Sequence, residues 1–401
     1  MMIKTDNLLI NVDYGLTNGR VIHNCSILCR DKSIYAIGGA SSFKEAVYTH
    51  CLDLKDCYAV PGFVDGHIYG FGKISLLDSM DVNALSVMAR ELPAHGVTSF
   101  LATLQSTNRP KLIEALKRTS DNILNQEDGA EALGIHLIGP FINPELNGLV
   151  RDEGVRKYSR DELEEIIEAA QGTLKVMTLA PEVEGAQEII EILTKNGIQA
   201  SMGHSSANEH QVHASMKAGA RNVTHLYNCM KPLHQREMGL SSTALVDESL
   251  TCELIFDGFH IHPQMLDLAC RAKGGDKISA VSSANQGTGL PDGRYKFDEN
   301  EYIIEDQHLL LPDGTIAGSM LTLEQAWQNV INFTHMNTKE AIACFTSTPS
   351  TSLGLSDRGH LSPGLKADIA IFNKDHELQA TLINGNIAYI KNEENLRQIN
   401  D

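Results

Sequence analysis

QEIIEILTKNGIQASMGHSSANEHQVHASMKAGARNVTHLYN, residues 187–228, carries the alternation on which the fold turns. Gln187–Lys195 has the apolar spacing of an amphipathic helix, and Gly197 stops it, because glycine readily takes the left-handed turn that ends a helix. Ile198–Gly203 then reads as a short buried strand, and a second strand runs from Asn222 to His225 after another amphipathic interval. Helix and strand alternating at this spacing form βα units, whose strands lie parallel.

The same rhythm extends outward from Gly62 to about Leu355. Candidate strands fall at Ala59–Asp65, Val97–Thr103, Gly134–Ile138, Leu174–Ala180, Ile198–Gly203, Asn222–His225, Cys252–Asp257 and Ile278–Ser282. Among the helices between them is Asp161–Ala170, opened by Ser159 with Glu162 three residues on as a capping box. Eight strands with intervening helices imply an α/β fold closed as a (β/α)8 TIM-like barrel over residues 59–354, not an open doubly wound sheet. The ends break the rhythm. Asn7–Val12, Arg20–Leu28 and Ser33–Ile37 before the barrel, and Asp368–Phe372 and Thr381–Tyr389 after it, predict a small β-sandwich domain built from residues 1–58 and 355–401.

Composition narrows the function. With 401 residues, 42% of them hydrophobic, the chain can bury one large core. Its net charge of -18 argues against nucleic-acid and anionic-membrane partners, so an anionic ligand needs a local basic pocket. Met1–Ile10 has no basic leader and no apolar run is long enough to span a bilayer, so a cytoplasmic location is expected. The eight cysteines lack C-x-x-C pairing and read as reduced, mostly buried thiols.

In a barrel the reactive groups gather at the C-terminal ends of the strands. There the sequence places Gly66-His67-Ile68-Tyr69, Gly203-His204-Ser205, Thr224-His225-Leu226-Tyr227-Asn228 and Gly258-Phe259-His260, with Ser282-Ser283-Ala284 after the last strand. Histidine thus recurs at four of the eight strand ends, and neutral imidazoles converging on one mouth suit a divalent transition metal.

The runs PGFVDGHIYG (61–70), GIHLIGPFINPE (134–145), TLAPE (178–182), SMGHSSA (201–207), THLYNCMKPLHQREMG (224–239), FDGFHIHP (256–263), GLPDGRY (289–295), GTIAGSMLTL (314–323) and PGLKADIAIF (363–372) resemble, in order and spacing, the N-acetylglucosamine-6-phosphate deacetylase family of amidohydrolases. That resemblance spans nearly the whole chain. It implies a metal-dependent hydrolase that removes acetate from an N-acetylhexosamine 6-phosphate, working as a homodimer whose phosphate site takes residues from both subunits.

Carried over position by position, the resemblance assigns metal binding to His204 and His225 and phosphate contact to Asn228, Arg236 and His260. Elsewhere the chain departs from the family. The metal-binding glutamate aligns with Ile138, the catalytic aspartate with Ser283, the second histidine of the first strand with Tyr69, and a substrate-contacting histidine with Val150. Two neutral imidazoles supply neither the third ligand nor the negative charge of a typical catalytic ion site, so a zinc, iron or manganese ion is expected to be weakened or absent. His67 is the candidate third ligand, and Glu145 reads as a solvated loop carboxylate. Amide hydrolysis needs a group that takes a proton from water and hands it to the leaving amine, and a serine hydroxyl does neither near neutrality. Ser283 as a nucleophile has no identifiable oxyanion hole or acid partner. Two readings follow: a deacetylase with impaired chemistry, or an inactive sugar-phosphate-binding or regulatory paralogue.

Overall fold

The computed structural model describes residues 2–17, 20–79, 81, 83–297 and 300–399. Eight parallel strands form the central sheet: β1 (Phe63–Ile68), β2 (Val97–Gln105), β3 (Glu131–Ile138), β4 (Leu174–Leu179), β5 (Gln199–Met202), β6 (Asn222–Val223), β7 (Thr251–Leu254) and β8 (Ile278–Ala280), each bonded to the next. Just past the strand ends, Ser283 N–H donates to His67 O (2.8 Å) and Tyr69 N–H to Ala284 O (2.8 Å), which joins β8 to β1 and closes the barrel. β1 is buried at every position and β2 at all but the last, as expected of parallel strands covered on both faces.

The surrounding helices start and stop where local chemistry directs. Ala186–Lys195 ends ahead of Gly197, whose φ of +71° turns the chain so that Ile198 N–H reaches Leu193 O. Arg160–Ala169 is capped by Ser159, which accepts from Glu162 N–H at 3.5 Å. The expected capping box is only half made, because the Glu162 carboxylate turns to Arg156 at 2.6 Å. Since the remaining cap bond is long, Ser159→Ala is expected to cost no more than about 1 kcal/mol, read from the urea midpoint.

Both chain ends build one further sheet of eight strands. Along its main path the order is Asn386–Ile390, Leu378–Ile383, Ile369–Asn373, His50–Pro61, Asn7–Thr17, Arg20–Arg30, Ser33–Gly39, and Leu396–Gln398 pairs on His50–Pro61. Leu8, Ile10, Ile27, Leu52, Ile369 and Leu382 are among the residues of its own core. The expected first barrel strand, Ala59–Asp65, is in fact two: His50–Pro61 belongs to the terminal sheet and β1 starts after Gly62. A Cβ on Gly62 would lie 2.3 Å from the Thr98 side chain, so only glycine lets the chain pass so close to β2.

Beyond β8 comes a three-stranded antiparallel insert, Gly293–Phe297, Asn300–Glu305 and His308–Leu310, that the sequence reading did not anticipate. It has a small core of its own around Ile304 and Leu309. All eight cysteines are free and seven are buried, the exception being the half-buried Cys229. Among the described residues no helix is long and apolar enough to cross a membrane.

Candidate functional site

At the C-terminal end of the barrel lies a cavity of about 510 Å³ whose walls include His204, His225, Asn228, His260 and Ser283. His204 and His225 follow β5 and β6 directly, and their Nε2 atoms lie 3.0 Å apart. His204 Nδ1 sits 2.8 Å from Leu146 O. That contact requires the proton on Nδ1 and leaves the lone pair on Nε2, facing His225. Burial holds the His204 imidazole down to about 4 and His225 well below its ordinary value, so both are neutral, the form in which histidine binds metal. His204, His225 and Ser283 all have positive φ (+50°, +32° and +49°), a costly conformation for residues with side chains and one that clusters at functional sites.

Tyr69 also lines the cavity, and an apolar cluster packs behind it. Ile138, at the end of β3, is fully buried and packs with Ile142 and Val150, with Tyr69 and Val155 against them. The three positions where the resemblance puts a glutamate and two histidines are therefore parts of one hydrophobic patch. Ser283 lines the cavity but brings no carboxylate, and Glu145 stands exposed on its loop, outside the lining. The mouth thus offers an ion two neutral nitrogens and no third donor from β3, which does not fit a catalytic metal with three protein ligands.

The positions assigned to phosphate contact separate in space. Asn228 and His260 line the cavity, and His260 Nδ1 is anchored on Asp257 Oδ2 at 2.5 Å. Arg236 is exposed on the loop after β6 and does not line the cavity of its own chain. Two cations that no motif marks, Lys111 and Arg151, also stand in the cavity wall, with Lys111 Nζ 2.6 Å from Asp78.

His67 turns inward. Its Nδ1 lies 2.9 Å from Oε2 of Glu253 on β7, and the other oxygen of Glu253 is 3.8 Å from His136 Nδ1. Among the described residues, His67, His136 and Glu253 form the group of three whose donor atoms all lie within 4.8 Å of one another. Burial lowers His67 to about 3 and His136 to about 4, and raises Glu253 and the nearby Asp65 to about 7. Neither Glu253 nor His136 stood out in the sequence. Each lies between apolar neighbours in its strand, and only the register of the closed barrel shows that they meet.

A barrel with a histidine-lined mouth and a sheet from both termini is the architecture of the amidohydrolase family, to which this chain belongs, the family model matching residues 58–393. Within it the chain stands with the N-acetylglucosamine-6-phosphate deacetylases. It is 34% identical to that enzyme of Bacillus subtilis (strain 168), covering 97% of this chain and 98% of the relative. It is 32% identical to the N-acetylgalactosamine-6-phosphate deacetylase of Escherichia coli O157:H7, covering 82% and 87%. Among solved structures, a variant of N-acetyl-D-glucosamine-6-phosphate deacetylase from Mycobacterium smegmatis, in complex with N-acetyl-D-glucosamine-6-phosphate, superposes with a TM-score of 0.88 at 26% identity, over 96% of this chain and 99% of that one. The Thermotoga maritima N-acetylglucosamine-6-phosphate deacetylase superposes with a TM-score of 0.83 at 30% identity, over 98% and 100%.

Proposed function

We propose that the mouth binds an N-acetylhexosamine 6-phosphate and that this chain has lost ordinary deacetylation, leaving a sugar-phosphate-binding or regulatory protein. The observation that carries the reading is that Ile138 and Val150, at positions where the family resemblance places a ligating and a substrate-contacting group, are buried together with Ile142 in an apolar cluster and do not line the cavity. Loss of a proton-transferring group alone costs on the order of 10²–10⁴ in rate. The aliphatic Ile138 at the position of the ligating glutamate also removes the charged ligand of an ion that could activate water. Binding keeps its supports: Asn228 and His260 at the cavity wall, two further cations beside it, and relatives whose names specify such ligands.

Calorimetry with N-acetylglucosamine 6-phosphate and N-acetylgalactosamine 6-phosphate, paired with an acetate-release assay, tests this reading. Binding without measurable acetate is the expected result. Turnover near about 10 s⁻¹, an ordinary enzyme rate, would overturn the loss of catalysis, and no heat with either sugar would overturn the binding.

The exposed Arg236 serves the mouth of a partner subunit in the homodimer that the resemblance implies. A charge-assisted bond to phosphate contributes about 1.5–3 kcal/mol, or about 10- to 100-fold in affinity. Arg236→Ala is therefore expected to weaken binding by that factor although the arginine lies outside its own cavity. An unchanged Kd in a preparation shown to be dimeric by sedimentation removes Arg236 from the site.

A further inference from the structure

We propose that the barrel interior holds a divalent transition-metal ion between His67, His136 and Glu253, one layer below the mouth. The distances fit. Two ligands each about 2.1 Å from one tetrahedral ion stand about 3.4 Å apart, and the two closest imidazole-to-carboxylate separations here, 2.9 Å and 3.8 Å, bracket that value. Two imidazole nitrogens and one carboxylate form a donor set used for zinc with a fourth position open, and one that discriminates against calcium and magnesium.

Three further features point to an ion. Asp65 is buried and Glu253 largely so, with 13% of its side chain exposed, and among the described residues neither forms an ion pair with a lysine or arginine, so this part of the barrel carries carboxylates without a lysine or arginine partner. A small cavity of about 20 Å³ adjoins Glu253 on the side of the barrel away from the mouth, lined also by Gly66, Asn222 and Ser279. That is room for one water, enough to complete a coordination shell. His136 is backed by a relay of hydroxyls: its Nε2 lies 2.9 Å from Thr178 Oγ1, which meets Thr224 at 2.6 Å, and Thr224 meets Ser201 at 2.6 Å. His136 Nδ1 also lies 3.2 Å from Gly66 O, so binding an ion there means moving the proton from Nδ1 to Nε2, where these hydroxyls can turn to accept it.

The site also touches the mouth mechanically. Glu253 Oε2 accepts the backbone N–H of His225 at 3.2 Å, so an ion on Glu253 stiffens the base on which that histidine stands. The ion has thus moved relative to the family pattern, whose glutamate position is now Ile138, to a cluster centred on Glu253. This inference is independent of what the mouth binds.

The test uses the full-length protein, stripped by chelation and titrated with zinc or manganese while metal content and heat are measured. One ion per chain is expected. Glu253→Gln, which preserves size, is expected to lower affinity by at least about 100-fold, while His204→Ala stays within about threefold. Should Glu253→Gln fail to fold, anomalous diffraction from zinc-loaded crystals of the unmodified protein locates the ion directly. Density between His67 and Glu253 supports the proposal. An empty barrel after titration, an ion between His204 and His225, or zinc binding that survives Glu253→Gln but not His204→Ala overturns it.

Discussion

The double substitution Ile138→Glu with Ser283→Asp is expected to raise acetate release from an N-acetylhexosamine 6-phosphate by at least about 100-fold over the unmodified protein, with zinc or manganese supplied. Ile138 ends β3 at the position where the family resemblance puts the ligating glutamate, so a glutamate there restores the third, charged ligand beside His204 and His225. Ser283 lines the same cavity after β8, where an aspartate can take a proton from water and return it to the leaving amine. The single variants should not suffice, because an ion without a base and a base without an ion each leave the barrier largely intact. They should differ in stability as well. Ile138→Glu places a carboxylate against Ile142 and Val150 with no cation, at a cost of about 3–5 kcal/mol that added metal should partly offset. Urea unfolding with and without zinc reads that difference. An unmodified protein as fast as the double variant would show that Ile138 and Ser283 do not limit catalysis.

Much of the barrel could be read from the sequence because its strands and helices alternate at a regular spacing, and the spacing of Gly203-His204 and Thr224-His225 put two imidazoles on one rim without any knowledge of packing. The terminal sheet was legible as a set of strands. The reading missed that His50–Pro61 is a long member of it, since the apolar residues run on through Pro61 and Phe63 and only the close approach of Thr98 to Gly62 separates the two sheets. The insert at residues 293–310 was missed for a different reason: its first strand is largely exposed, and exposed strands carry little hydrophobic periodicity. Within the site the limit is sequence distance. His67 and Glu253 are 186 residues apart, and nothing in Thr251–Leu254 marks its glutamate as interior until the strand is placed beside β6 and β8. Lys111 and Arg151 come to the mouth from a helix start and a loop, where a lone cation normally reads as solvated.

Phe63→Ala is expected to destabilise the whole chain by about 3–5 kcal/mol, and to do so in a single transition. Phe63 opens β1 immediately after the chain leaves the terminal sheet, and its ring is fully buried among partners from both parts of the fold. Phe345 and Trp327, on helices that cover the barrel, have ring centroids 4.9 Å and 6.2 Å away, while Phe372, in the terminal sheet, is 5.5 Å away. Trp327 in turn donates its Nε1–H to Tyr58 Oη at 3.1 Å, a second tie to the terminal sheet. Truncating Phe63 opens a cavity that neither part can close alone, because the backbone on either side is fixed by Gly62 N–H on Asp368 O and Phe63 N–H on Gly96 O. Trp327 is the only tryptophan of the chain, so its fluorescence during urea unfolding reports directly on this junction. Two separate transitions in the variant, with the terminal sheet melting first, would mean that the ring cluster was what made the two sheets cooperative. A loss under about 1 kcal/mol would instead place the coupling in the polar ties around Asp368 and Arg358, which hold the same segment from the other side.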